Sequence, residues 1–166
     1  TWATTSRGLI GASSRVAVAP SAPHVVYAGS YDSGPFKSSD GGRSWTAPVA
    51  VNRSAEVAAF TPTLHVRADG TIGLMHYDLR SNTADRNTLL ADLWLATSRD
   101  GITWAETALE RGFDLKRAPT AAGGLFLGDY HGLVSARGAF IPLASLPGPD
   151  IGNRTDVVAL RTAGPT

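Results

Sequence analysis

No cysteine occurs among the 166 residues, methionine occurs once, at Met75, and neither sign of charge dominates, with 15 Lys and Arg against 14 Asp and Glu. The missing cysteine excludes disulfide frameworks, thiolate metal sites and Cys nucleophiles together. It leaves the compartment open, because a secreted protein need not carry a disulfide. A formal charge of +1 offers no broad basic surface for phosphate and no acidic tail, which argues against a nucleic-acid partner. Long apolar runs are also lacking: Gly, Pro or a charge interrupts each one well short of the roughly 18 residues that cross a bilayer, so no membrane span is expected. The chain begins at Thr1 rather than at a methionine, which reads as a piece of something longer whose native start and any signal peptide lie elsewhere.

Helical patterning is scarce too. Leu89, Leu90, Leu93 and Trp94 recur at three and four residues, but the stretch ends in the alternating run Asp92-Leu93-Trp94-Leu95-Ala96-Thr97 and is read as a polar loop feeding a strand. What the chain does have is 18 glycines, frequent Val, Thr, Trp and Tyr, and short alternating segments. These predict an all-β fold rich in turns.

An internal repeat organises it. Ser38-Ser39-Asp40-Gly41-Gly42-Arg43-Ser44-Trp45 and Ser98-Arg99-Asp100-Gly101-Ile102-Thr103-Trp104 are each flanked by strand-like runs, so each reads as a hairpin turn. A short Asp side chain accepts nearby backbone N–H groups, Gly supplies positive φ, and the following Trp wedges between layers. Strands are expected at 15–19, 25–30, 34–37 and 45–49, then at 63–66, 72–77, 93–96 and 104–108, then at 132–135, 139–143 and 156–160. The third set lacks a fourth strand. Thr1-Trp2-Ala3 matches Thr103-Trp104-Ala105, so residues 1–12 are expected to hold the outermost strand of a preceding unit and a linker. The units then fall at 13–52, 61–110 and 125–162. Four-stranded units in series are the mark of a β-propeller, here a fragment of about three blades.

The two turns resemble the Asp-boxes, or BNR repeats, of the sialidase-like β-propellers, whose pattern is S/T-x-D-x-G-x-T/S-W. Ser38, Asp40, Gly42, Ser44 and Trp45 fill every fixed position; Ser98, Asp100, Gly101, Thr103 and Trp104 form a copy one residue shorter. The segments 73–80 and 126–133 are similar to stretches of secreted bacterial exo-sialidase-like and glycosyl-hydrolase BNR-repeat proteins, which implies a secreted or cell-surface location. Asp-box propellers include hydrolases, receptors and non-catalytic assembly factors, so the resemblance implies the fold more firmly than the reaction.

In a propeller the Asp-box turns lie at one end and ligands meet the other, where Tyr31, Asp32, Asp78, Arg80, Asp85, Arg86, Asp129, Tyr130, His131, Asn153 and Arg154 are placed. The resemblance implies hydrolysis of a terminal acidic sugar, with Tyr130 as nucleophile beside Asp129, and Arg80, Asp78, His131 and Arg154 binding substrate. Asp78 and Arg80 pairing with each other, and Asp129-Tyr130 forming a structural corner, are the structural alternatives. A sialidase needs three arginines and a glutamate near its Tyr, and part of that set would come from missing blades.

No zinc site is expected, since His24, His65, His76 and His131 show no ligand spacing; His65 and His76 fall on strands and read as satisfied core or inter-blade histidines. No cofactor is called for, although Asp78, Asp85 and Asp92 offer a structural calcium oxygen ligands at a spacing that matches no defined loop. The rival class is a non-catalytic propeller that binds glycans or a protein partner through the same rim. Closing a ring would take the remaining blades or a second copy of the chain.

Overall fold

The computed structural model describes residues 7–11, 13–30, 33–54, 56–121, 123–128 and 131–162. Among the described residues, twelve strands make an all-β, antiparallel arrangement: β1 (Ser13–Val18), β2 (Val26–Ser30), β3 (Gly34–Ser38), β4 (Ala59–Val66), β5 (Ile72–Asp78), β6 (Leu90–Ser98), β7 (Ala105–Asp114), β8 (Thr120–Ala121), β9 (Gly124–Leu125), β10 (Gly132–Ala136), β11 (Ala139–Pro147) and β12 (Thr155–Ala159). They form sheets in the orders β1-β2-β3, β4-β5-β6-β7, β8-β9 and β10-β11-β12. The predicted all-β class is therefore present, as three successive meanders plus a two-stranded ribbon.

The middle sheet is covered on both sides. Every residue of β5 is buried, and the period of two along a strand divides them between two cores. Ile72 and Leu74 join Leu64, Val66, Ala96 and Tyr27 in the seam with the first sheet. Met75 and Tyr77 join Leu93, Leu95, Leu133 and Phe140 in the seam with the third. Gly73 lets the third sheet approach, because a methyl there would lie 2.5 Å from the Phe140 ring. His65 binds Ser135 across that seam at 2.9 Å.

Both predicted hairpin turns carry their side-chain hydrogen bonds. In the first, Asp40 Oδ1 accepts the N–H groups of Arg43 and Ser44, each at 2.9 Å, while Ser44 Oγ donates to Oδ2 at 2.6 Å. In the second, Asp100 Oδ1 accepts Ile102 and Thr103 N–H at 2.7 and 2.8 Å. Ser38 and Ser98 each donate to their Asp and accept a glycine N–H at 2.9 Å, from Gly42 and Gly101 respectively. Gly41, Gly42 and Gly101 all have positive φ. The bonds from Ser44 and Ser38 hold the Asp40 carboxyl well below its usual range, and those from Ile102, Thr103 and Ser98 do the same for Asp100.

The first sheet differs from expectation in having three strands rather than four. Residues 45–49 run beside β3 through Thr46 N–H to Lys37 O at 2.8 Å and Val49 N–H to Pro35 O at 3.2 Å, without forming a strand. Pro35 and Pro48 each lack the N–H that a continuous ladder needs. The third sheet has three strands, as predicted, and β12 is extended along β11 by Leu160 N–H to Pro142 O at 2.9 Å. The strand expected in residues 1–5 lies outside the described residues.

Candidate functional site

At the end of β5 remote from the second Ser-Asp-Gly turn, hydrocarbon gives way to charge. Asp78 closes the strand, fully buried, opposite the equally buried Asp92 of β6. Arg80, two residues on, folds back over the same face. Its Nε donates to Asp78 Oδ2 at 2.8 Å, its Nη1 and Nη2 reach Glu106 Oε2 and Oε1 at 3.1 and 2.8 Å, and Nη2 also donates to Asn52 Oδ1 at 3.1 Å. The guanidinium lies 3.8 Å over the Trp94 ring, and Arg111 lies at 4.8 Å from the same ring. Trp94 Nε1 donates to Asp78 Oδ1 at 3.2 Å. Four of the five N–H donors of the fork are thus used inside the molecule.

Local sequence explains the convergence. Asp78, Trp94 and Glu106 lie on one face of the sheet, and Glu106 is paired with Ala96, whose small side chain leaves room for the carboxylate to reach across. Asp78 Oδ1 also accepts Arg80 N–H at 3.1 Å, which turns the chain sharply after the strand. Burial pushes the Glu106 carboxyl up, but the hydrogen bond and charge of Arg80 outweigh it and hold the group below its ordinary value. Burial likewise opposes the charge on Arg80, and Glu106 and Asp78 overcome it, raising its pKa.

His76 adjoins the cluster, with Nε2 3.6 Å from Glu106 Oε1 and 4.0 Å from Asp78 Oδ2. It was expected to be a satisfied core histidine. It is buried, but neither ring nitrogen has a hydrogen-bond partner among the described residues. Burial lowers its pKa; Asp78 and Glu106 pull the other way and Arg80 adds to the lowering. The imidazole lines a cleft of about 290 Å³ bounded by the first sheet, by Ala50, Val51, Asn52, Ser54 and Val57, and by the start of β4.

Tyr130, Asp129, Tyr31 and Asp32 lie outside the described residues. His131 packs edge-on against Tyr77 at 5.3 Å, in the seam with the third sheet. Arg154 is exposed on the loop between β11 and β12, where it lines a shallow cleft with Lys116 and Arg117. Of the substrate-binding set, Asp78 and Arg80 are brought together, on the opposite side of the middle sheet from His131.

No family model, curated protein or solved structure matches this chain.

The carboxylates of the long loop are occupied within the protein. Asp92 accepts Ser81 Oγ at 2.7 and 2.8 Å and Gly112 N–H at 2.8 Å, and Asp85 accepts Asn87 N–H at 2.9 Å. No group of three or more His, Asp or Glu able to hold a metal ion is found among the described residues. No helix there is long and apolar enough to cross a membrane. Sequence reasoning missed Glu106, Asn52, Trp94 and Arg111. The first three are brought to Asp78 by strand register and by a distant connecting segment, and only the parity of Trp94 and His76 with Asp78 on their strands could have signalled a shared face.

Proposed function

We propose that the chain is part of a secreted, sialidase-like Asp-box glycoside hydrolase that acts on terminal acidic sugars. The observation that carries this reading is the pair of Asp-box turns, each held by its own Ser and Asp at the end of a sheet. In the middle sheet the cluster around Asp78 and Arg80 occupies the opposite end. Further blades, from the same protein or a second copy, would cover the outer sheets. Val16 and Val18 on one, and Val134 and Val157 on the other, are exposed at 64, 50, 47 and 73%, which supports that arrangement. In the hydrolytic step Tyr130 would attack the anomeric carbon, and a neighbouring carboxylic acid would protonate the departing oxygen.

A second reading, a non-catalytic glycan-binding propeller, is favoured by one specific feature. Arg80 is already neutralised by Asp78 and Glu106 and is not presented as an open fork for a substrate carboxylate. Release of fluorophore from a fluorogenic sialoside decides between them, measured on the protein and on a Tyr130→Phe variant of unchanged circular dichroism. Turnover abolished by the substitution is the expected result. Turnover that persists places the nucleophile elsewhere, and none in either protein favours the binding module.

A further inference from the structure

Where β7 and β11 reach the end of the molecule that holds Arg80, a second group of cations gathers. Lys116 and Arg117 follow the last residue of β7, and Arg154 precedes β12. All three are exposed, and they line one cleft of about 310 Å³ with Gly148, Pro149 and Asp150. The Arg80 fork is spent on Asp78, Glu106 and Asn52. The guanidinium groups of Arg117 and Arg154, by contrast, have no hydrogen bond or ion pair to a described residue. Lys116 Nζ donates to Arg86 O, which leaves two of its three N–H groups open. Both segments that carry these cations are held by bonds of their own. Asp114 Oδ1 accepts Leu89 N–H at 2.9 Å and Lys116 N–H at 3.0 Å, Leu115 is buried, and Ala118 N–H donates to Leu115 O at 3.0 Å. Across the cleft Gly148 N–H donates to Arg154 O at 2.8 Å and Asn153 N–H to Asp150 O at 3.2 Å, so the loop closes on itself at the residue that bears the guanidinium. A side chain on Gly148 would run into Asn153 O, which fixes glycine at that neck.

We propose that this cleft binds a sulfate or phosphate monoester group on a ligand of about one sugar ring. Such a group presents three terminal oxygens, one for each of Arg117, Arg154 and Lys116, and arginine forks bind these oxygens by paired, charge-assisted bonds. A carboxylate has two oxygens and would leave one cation unmatched. Asp150, the carboxylate among the described lining residues, is turned to its own loop, where Oδ1 accepts Gly152 N–H at 2.9 Å. Asp129 and Tyr130 lie outside the described residues, and the fit rests on the two unpaired forks rather than on a total of charges. Segments that are already fixed lose little freedom on binding. The volume is at the small end for ligand sites and suits one ring rather than a chain. This site uses neither Tyr130 nor turnover, so it stands whether or not the sialidase reading does.

Isothermal titration calorimetry of the chain with glucose 6-sulfate and glucose 6-phosphate tests it, with glucuronate as the carboxylate control. At least one ester is expected to bind with a Kd below about 1 mM, and glucuronate more weakly. A tighter sulfate ester assigns the cleft to sulfated ligands, and a tighter phosphate ester to phosphorylated ones. Arg117→Gln and Arg154→Gln should each weaken binding about tenfold, and the double variant should abolish it. Arg117→Gln, on the wall opposite the loop, carries the test if Arg154→Gln does not fold. Arg137→Gln removes the same charge from the turn between β10 and β11, at the other end of the third sheet, and should leave binding unchanged. The proposal is overturned if neither ester binds the folded chain, if glucuronate binds as tightly as the better ester, or if Arg137→Gln costs as much as the cleft variants.

Discussion

On one side of β5, Gly73, Met75 and Tyr77 meet the third sheet; on the other, Ile72 and Leu74 meet the first, and His76 and Asp78 continue that same face. The first of these faces stays apolar to its end. Tyr77 stacks on Phe60 at 5.3 Å and meets Phe113 edge-on at 6.1 Å. Its hydroxyl donates to Ser145 O at 2.9 Å, and burial drives its pKa far up. The second face is apolar only as far as Leu74 and then becomes an ion cluster beside a cleft. The same alternation builds both. The difference shows that a strand can seal one seam and open the other, depending on which side chains fall on even and odd positions in its last turns.

The comparison breaks most severely on the charged face. Arg80→Ala would leave the carboxylates of Asp78 and Glu106, whose side chains are 0 and 2% exposed, without their cation. A loss of about 3 to 5 kcal/mol is expected in urea unfolding. On the sealed face, Gly73→Ala drives a methyl into the Phe140 ring and should cost about 1 to 3 kcal/mol. Adding Phe140→Leu should recover part of that loss, and strictly additive effects would show that the two residues do not meet. Tyr77→Phe removes a single buried hydrogen bond and should cost about 1 kcal/mol by the same measurement.

The smallest effect separates the faces by pH. The folded pKa of His76 lies below its ordinary 6.5, with burial and Arg80 lowering it against Asp78 and Glu106. As pH falls through 6.5 the unfolded chain therefore takes up a proton before the folded one. Stability from this group is complete above that value and is lost toward the folded pKa. Glu106, also lowered, adds its own loss only below its ordinary 4.5. The drop in Tm between about pH 7.5 and pH 5.5 should be larger for the parent than for His76→Gln; equal drops would mean that His76 does not titrate differently on folding.

Much of the strand layout was legible because it rests on local signals. Alternation marked β2, β5, β10 and β11, and the Ser-Asp-Gly strings marked both hairpin turns, since their hydrogen bonds span at most four residues. The segment after Trp45 was less legible: its alternation predicted a strand, but Pro35 and Pro48 interrupt the ladder from opposite sides. The cluster was legible only in the Asp78-Arg80 pair, two residues apart. Glu106 and Asn52, 26 and 28 residues from Arg80, join it through register and a crossing segment, which no local pattern encodes.

The Ser and Asp side chains of each Ser-Asp-Gly turn bond only within that turn, whereas the seams depend on pairs such as His65 with Ser135 and Tyr77 with Ser145, separated by 70 and 68 positions. Loop-closure entropy makes the first kind of contact fast and the second slow. The turns are therefore expected to form before the sheets stack, and the docking of one meander on the next is expected to set the folding rate.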